Sequence, residues 1–244
     1  MMNDNLIEQV ANYVEENIGK FHAARIEKLK SLKLDSLLKR KNPYLYKAKD
    51  LNTPQAVVES LASAFISSAE ESMFGDWLEG LAIFVAGVVY NGYKSTAEGI
   101  DLELDKDGIH YLISIKSGPN WSNSSSLKKL KENFNKAKRI YRTSGNKNAC
   151  EAIEGCCYGK DNVPQKETHQ KLCGARFWEF ISDIENLYID IIEPLGTNAT
   201  EKNHIYKAEY DRMITRFTQD FASKYCDKQG NILWDEIVKL NSGK

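Results

Sequence analysis

The chain has 244 residues, 33 Lys and Arg against 34 Asp and Glu, a net charge of −1, and the composition of an ordinary globular protein. Five cysteines, an odd number, follow an N-terminus (Met1-Met2-Asn3-Asp4-Asn5) that lacks the basic and apolar regions of a secretory signal. This argues for reduced thiols rather than a disulfide framework, and with no run approaching about eighteen apolar residues the expectation is a cytoplasmic protein with no membrane partner.

Residues 4–40 carry Leu6, Ile7, Val10, Tyr13, Val14 and Ile18, then Ile26, Leu29, Leu32 and Leu34, at spacings that predict one or two helices. The balanced net charge conceals a basic stretch here: Lys20 to Lys49 holds ten Lys/Arg against Glu27 and Asp35. Leu127 to Lys147 is a second such stretch, with eight against Glu132. Each could be an electrostatic footprint for a polyanion or a solvated helix face. Asn42-Pro43 ends the first helical pattern, and 42–46 reads as an extended connection.

Thr53-Pro54 opens the next helix, with Thr53 as N-cap and Pro54 in the first turn. The helical pattern runs to Tyr90, with a bend or break expected near Ser67-Ser68 or Gly75. Met73, Phe74, Trp77, Leu78, Leu81, Phe84, Val85 and Val88 make a wide apolar stripe. Glu71, Gly75 and Glu79 stack along nearly one side of it. A glutamate beside so apolar a stripe is costly unless it is paired or binds a cation, which singles out Glu79; reaching water at the helix boundary is the alternative.

The stretch Gly99 to Asn123 organises the rest. Two alternating runs, Ile100 to Leu104 and Ile109 to Ile115, flank Asp105-Lys106-Asp107-Gly108 and predict a β-hairpin. Asp101 and Glu103 share one face of the first strand, Ser114 and Lys116 one face of the second. If the faces coincide, a carboxylate and an ammonium meet at one end, a pairing suited to cutting a phosphodiester with a divalent cation. An exposed hairpin with ordinary surface charges is the other reading.

The loop 117–126 is rich in turn formers and hydrogen-bonding side chains around Trp121, fit to meet phosphates or base edges or simply to face water. Leu127 to Tyr141 returns to helix, which completes an α-β-β-α unit. Ala149 to Gly159 reads as a further strand, parallel to a hairpin strand because a crossover helix leads to it. His169 and Cys173 would be an i, i+4 pair on a helix and, with Cys156 or Cys157, could hold zinc, although no Cys-x2-Cys pair occurs. Helices are expected over 177–192, 206–226 and 234–240. The expectation is one domain over 1–244: a basic helical segment to residue 50, a core over 51–160 and a helical lobe over 161–244.

Gly75-x3-Glu79, Gly99-Ile100-Asp101 and Ser114-Ile115-Lys116, in this order, resemble the PD-(D/E)xK nuclease superfamily. More narrowly, Asn42-Pro43-Tyr44-Leu45, Phe74-Gly75-x2-Leu78-Glu79, Lys116-Ser117-Gly118-Pro119-Asn120-Trp121, Gly155-Cys156-Cys157-Tyr158-Gly159 and Phe177-Trp178-x-Phe180-Ile181-Ser182 resemble type II restriction endonucleases that cut interrupted GGNCC-type sites. The resemblance covers roughly 42–243. It implies an α/β (α+β) restriction-endonuclease-like fold, a mixed central sheet flanked by helices with an additional helical lobe. It also implies double-strand DNA cleavage with Mg²⁺ by a homodimer, in a restriction-modification system whose methyltransferase acts on the same site. Residue by residue, Asp101 matches the first motif acid and Lys116 the motif lysine. Serine stands at 114 where the second acid is usual, and Glu79, or else Glu71 or Glu103, is the candidate replacement. Asp101, Glu79 and Ile115 form the candidate metal set, Asp101, Lys116, Ser114 and Glu79 the catalytic set, and Asn120, Trp121, Asn123, Lys128 and Lys129 the DNA contacts. A repair or junction nuclease of the same superfamily, or a catalytically inactive DNA-binding module, is the alternative that Ser114 keeps open.

Overall fold

Helices come first along the chain, in a computed structural model that describes residues 2–197 and 199–243. They are α1 (Met2–Ser31), α2 (Leu34–Arg40), α3 (Pro43–Ala48) and α4 (Pro54–Tyr90). Strands β1 (Tyr93–Lys94), β2 (Leu102–Lys106) and β3 (Ile109–Lys116) follow, then α5 (Ser124–Thr143), β4 (Ala149–Cys156) and β5 (Gln170–Cys173). Helices α6 (Ala175–Ser182), α7 (Leu187–Asp190), α8 (Ile192–Leu195), α9 (Ala199–Tyr225) and α10 (Trp234–Ser242) complete it. The contacts divide the chain into two compact units, Met1–Ile18 with Phe74–Thr197, and Gly19–Met73 with Asn198–Lys244.

The first unit holds one mixed sheet in the order β1-β2-β3-β4-β5, antiparallel over the first three strands and parallel over the last three. Asp107 and Gly108 both take positive φ, 52° and 75°, so the β2–β3 hairpin closes in a two-residue turn whose twist matches its strands. Helix α5 carries the chain from β3 to the parallel β4. Its inward stripe of Leu130, Phe134 and Ala137 packs on Ile100, Leu112, Cys150 and Ala152. On the other face Ile113, Ile115 and Ile153 are buried. Gly155 lies under the Phe177 ring of α6 so closely that an added Cβ would sit 2.3 Å from Cε2.

The second unit is helical. Leu29, Leu37, Leu61, Phe217 and Phe221 form the centre of its core, which α10 joins through Ile237. The Asn241 amide donates to the carbonyls of Leu38, Lys39 and Lys41 at 2.9, 3.1 and 3.0 Å, satisfying the otherwise open end of α2. Helix α4 contributes to both units and is, by length and composition alone, apolar enough to cross a membrane. It buries Leu61, Ala62, Leu81, Ala82, Val85 and Ala86 within the protein.

The mixed α+β architecture with flanking helices is the expected one, and four local expectations are corrected. Residues 43–48 are helical rather than extended, because Asn42 caps α3 by accepting from Tyr44 N and Leu45 N and Pro43 fits the first turn. Helix α4 continues through Ser67-Ser68 and Gly75 without a break. The helix expected over 177–192 is split into α6, α7 and α8, starting at Asp183, which adopts a left-handed conformation with φ 57°. Residues 170–173 are a strand, not part of a helix: β5 pairs in parallel with β4 through Glu154↔Lys171 and Cys156↔Cys173.

Candidate active site

Asp101 lies just before β2, and its backbone N–H donates to the Ile113 carbonyl at 2.9 Å, which extends the antiparallel ladder and sets Asp101 across from Ser114. Side chains alternate along the strands, so Asp101, Ser114 and Lys116 share the face that α5 covers. Three donors converge on Asp101 Oδ2: the Ile115 backbone N–H at 2.6 Å, the Ser114 hydroxyl at 3.2 Å and the Lys116 ammonium at 3.5 Å. Lys116 Nζ also donates to the Ile115 carbonyl at 2.8 Å. The two side chains are about three-quarters buried, Lys116 at 24% and Asp101 at 22% exposure. An isoleucine can offer a cation only its carbonyl oxygen, and the Ile115 carbonyl is that oxygen.

The three glutamates considered for the missing acid have different surroundings. Glu79, on the part of α4 within the sheet unit, has its carboxyl pKa raised, first by burial and then by the negative charge of Asp101; Lys94, 3.4 Å away, and Lys116 oppose the rise. Glu103 is engaged elsewhere: its carboxylate meets His110 Nε2 at 3.1 Å and accepts from the hydroxyls of Tyr93 and Ser95, while Asp105 holds the other nitrogen of His110 at 3.0 Å. Glu71 is exposed and belongs to the helical unit. Glu79 is thus the glutamate whose charge is coupled to Asp101.

The loop after β3 is anchored at several points. Cys157 N–H donates to the Lys116 carbonyl at 2.9 Å and Tyr158 N–H to the Ser117 carbonyl at 3.0 Å. Gly118 admits the Tyr158 ring, which would lie 2.3 Å from an added Cβ. The Trp121 ring stands over Lys116, its centroid 5.2 Å from the ammonium, within cation–π range. Its indole N–H donates to Glu154 Oε1 at 2.7 Å. Asn123 caps α5, accepting from Ser126 N–H at 3.0 Å in a capping box. Asn120 is exposed on the loop, and Lys128 and Lys129 are exposed on α5, beside Glu132 and Glu98 respectively.

Glu154 escaped the reading of the sequence. It stands on β4 in register with Ser114, with its side chain 2% exposed. Burial works to raise its pKa, but hydrogen bonds from His169, Lys171 and Trp121 outweigh it and hold the carboxyl at about 2. Lys171 Nζ lies 2.7 Å from Oε1 and His169 Nε2 3.1 Å from Oε2. Both oxygens are therefore occupied, and Glu154 does not stand in for the acid missing at 114. The same bonds dispose of the zinc reading: His169 uses its nitrogens on Glu154 and Thr168, and it stands in the bend before β5 with Cys173 at the far end of that strand, not one turn away on a helix. Among the described residues no group of three or more His, Cys, Asp or Glu is placed to hold a metal.

A mixed sheet with a hairpin edge, a parallel crossover through α5 and covering helices is a restriction-endonuclease-like fold, and with it the acid and lysine of the hairpin fall on one face. The family model described as Type II restriction endonuclease EcoO109I matches residues 8–203. The chain belongs to this family, and so is a type II restriction endonuclease, a nuclease that binds DNA. Among curated individual proteins none matches it.

Proposed function

We propose that this restriction endonuclease cuts both strands of duplex DNA with Mg²⁺ as its cofactor, as the nuclease of a cytoplasmic restriction-modification system, at an interrupted GGNCC-type site. Asp101 and Glu79, with the Ile115 carbonyl, offer only hard oxygen donors, a set that suits Mg²⁺, which keeps several waters and needs one or two carboxylates. Bound there, the cation would lower the pKa of a water and offset charge on the scissile phosphate. Lys116 positions the attacking water and stabilises charge developing on the phosphate. Ser114 holds the Asp101 carboxylate through its hydroxyl, and Asn120, Lys128 and Lys129 contact the DNA. A near-palindromic site calls for a two-fold homodimer.

The observation that carries this reading is the coupling of Glu79 to Asp101: after burial, the Asp101 charge is what most disfavours ionisation of Glu79, a cost that a cation bound between the two would relieve. The test is digestion of a sequenced phage genome with Mg²⁺, followed by sequencing of the fragment ends. Ends that share one interrupted GGNCC motif, at a constant offset, support the assignment. Ends at another fixed motif overturn the site, and random ends overturn sequence-specific cutting. Sedimentation of the purified enzyme checks the dimer.

A further inference from the structure

We propose that Glu154 is a positioning residue of the nuclease, holding Trp121 so that its ring keeps the Lys116 ammonium at Asp101. The inference rests on the reading of Lys116 and Asp101 as catalytic residues.

The loop 117–123 leaves β3 directly after Lys116, and it is tied at two points to one buried ion pair. Glu154 Oε1 accepts from Trp121 Nε1 at 2.7 Å and lies 2.7 Å from Lys171 Nζ. Lys171 Nζ in turn donates to the Pro119 carbonyl at 2.9 Å. His169 closes the other side of the carboxylate at 3.1 Å and is itself hydrogen-bonded to Thr168. A carboxylate buried on the sheet between two parallel strands is an expensive way to stabilise a fold, since apolar side chains of similar volume often do as well. What it adds is direction. The Trp121 ring packs at the edge of the core beneath α5, and the bond through Nε1 fixes which way the indole lies in that packing.

That orientation matters because of what lies against the ring. Lys116 Nζ is 5.2 Å from the Trp121 centroid, 2.8 Å from the Ile115 carbonyl and 3.5 Å from Asp101 Oδ2. Lysine is a flexible point charge, so the ring, the carbonyl and the carboxylate together fix where the ammonium stands. Losing one of the three lets it stray by an ångström or so, and misplacement on that scale costs about a hundredfold in rate.

The test is a double-mutant cycle in the single-turnover cleavage rate, on plasmid DNA with Mg²⁺, using E154Q, W121F and the double variant. K116A is run beside them, and DNA affinity is measured separately with Ca²⁺. Each single variant is expected to cut about ten to a hundred times more slowly, with affinity within about twofold of the parent, and the double variant is expected to be no slower than the slower single one, because W121F removes the indole N–H and E154Q removes the charge and one acceptor oxygen of its partner, so both weaken the same tether. Rates that multiply in the double variant, affinity that falls in step with rate, or W121F cutting at the parent rate would each overturn the inference. Replacing Trp121 by β-(3-benzothienyl)alanine keeps the bicyclic ring and puts a sulfur, which cannot donate, in place of the N–H. If E154Q does not fold, this substitution decides: slowed cleavage at unchanged affinity supports the tether, and parent-rate cleavage overturns it. An active K116A would instead sink the reading of Lys116 on which the inference stands.

Discussion

Ser114 donates its hydroxyl to Asp101 Oδ2 at 3.2 Å, so the residue at the usual place of a second acid serves the first acid instead. It supports the carboxylate without adding charge beside it. The Ile115 N–H, at 2.6 Å, makes the shorter bond to the same oxygen. Ser114→Ala should therefore keep cleavage, reduced about tenfold to a hundredfold as expected for one hydrogen bond to a charged group. Single-turnover rates of S114A beside D101A check this. Equal loss in the two would mean that Ser114 does more than orient Asp101.

Glu79 links pH to activity and stability in opposite senses. Its folded pKa is raised, by burial first and the Asp101 charge second, so the folded state holds its proton to higher pH than the unfolded chain. Stability from this group is complete below the ordinary glutamate range and falls as pH rises through the raised value. The ionised form is the one that binds a cation, so cleavage should rise over the same interval. Without added metal, Glu79→Gln should melt higher than the parent at neutral pH and show a flatter melting temperature against pH, while needing far more Mg²⁺ to cut. A lower melting temperature for E79Q would show that the carboxylate stabilises the site by itself.

For Glu154 the sign is reversed. Its carboxyl titrates at about 2 because the bonds from His169, Lys171 and Trp121 overcome the opposing effect of burial. It contributes stability that is complete above the ordinary glutamate range and is lost as pH falls towards 2. Glu154→Ala leaves Lys171 buried without its carboxylate and should cost about 3–5 kcal/mol in urea unfolding at neutral pH. That deficit should narrow in acid. A deficit unchanged down to pH 3 would contradict a depressed pKa.

Packing between β4 and α6 gives a prediction independent of charge. An added Cβ on Gly155 would lie 2.3 Å from the Phe177 ring, so Gly155→Ala must push that fully buried ring aside. A cost of about 1–3 kcal/mol is expected for overpacking a core of this kind, read as a lower melting temperature. Wild-type stability in G155A would place a void behind Phe177.

What the sequence revealed was local. The hairpin was legible because Asp107-Gly108 and the alternation on either side lie within sixteen residues of one another, and the shared face of Asp101, Ser114 and Lys116 follows from strand periodicity alone. At Asn42 the rule about prolines held and the conclusion drawn from it did not: Asn42 is extended, at φ −72° and ψ 108°, but it serves as the cap of a helix that begins at Pro43. Glu154 was invisible. In sequence it is one acid in a strand, and its partners Trp121 and Lys171 lie 33 and 17 residues away, in a loop and in a four-residue strand too short to announce itself. Burial of a charge is decided by such distant partners, not by its neighbours along the chain.

The most direct test of the account is Asp101→Ala, assayed for Mg²⁺-dependent cutting of phage λ DNA and, in parallel, for binding of the same DNA by gel shift with Ca²⁺. The parent should give a reproducible ladder with Mg²⁺ and none with EDTA, and D101A should bind as the parent does while cutting at least about a thousandfold more slowly, the scale set by losing an essential electrostatic group. A D101A enzyme that still yields the ladder at a rate near the parent's would contradict the placement of the active site at the Asp101–Lys116 end of the hairpin.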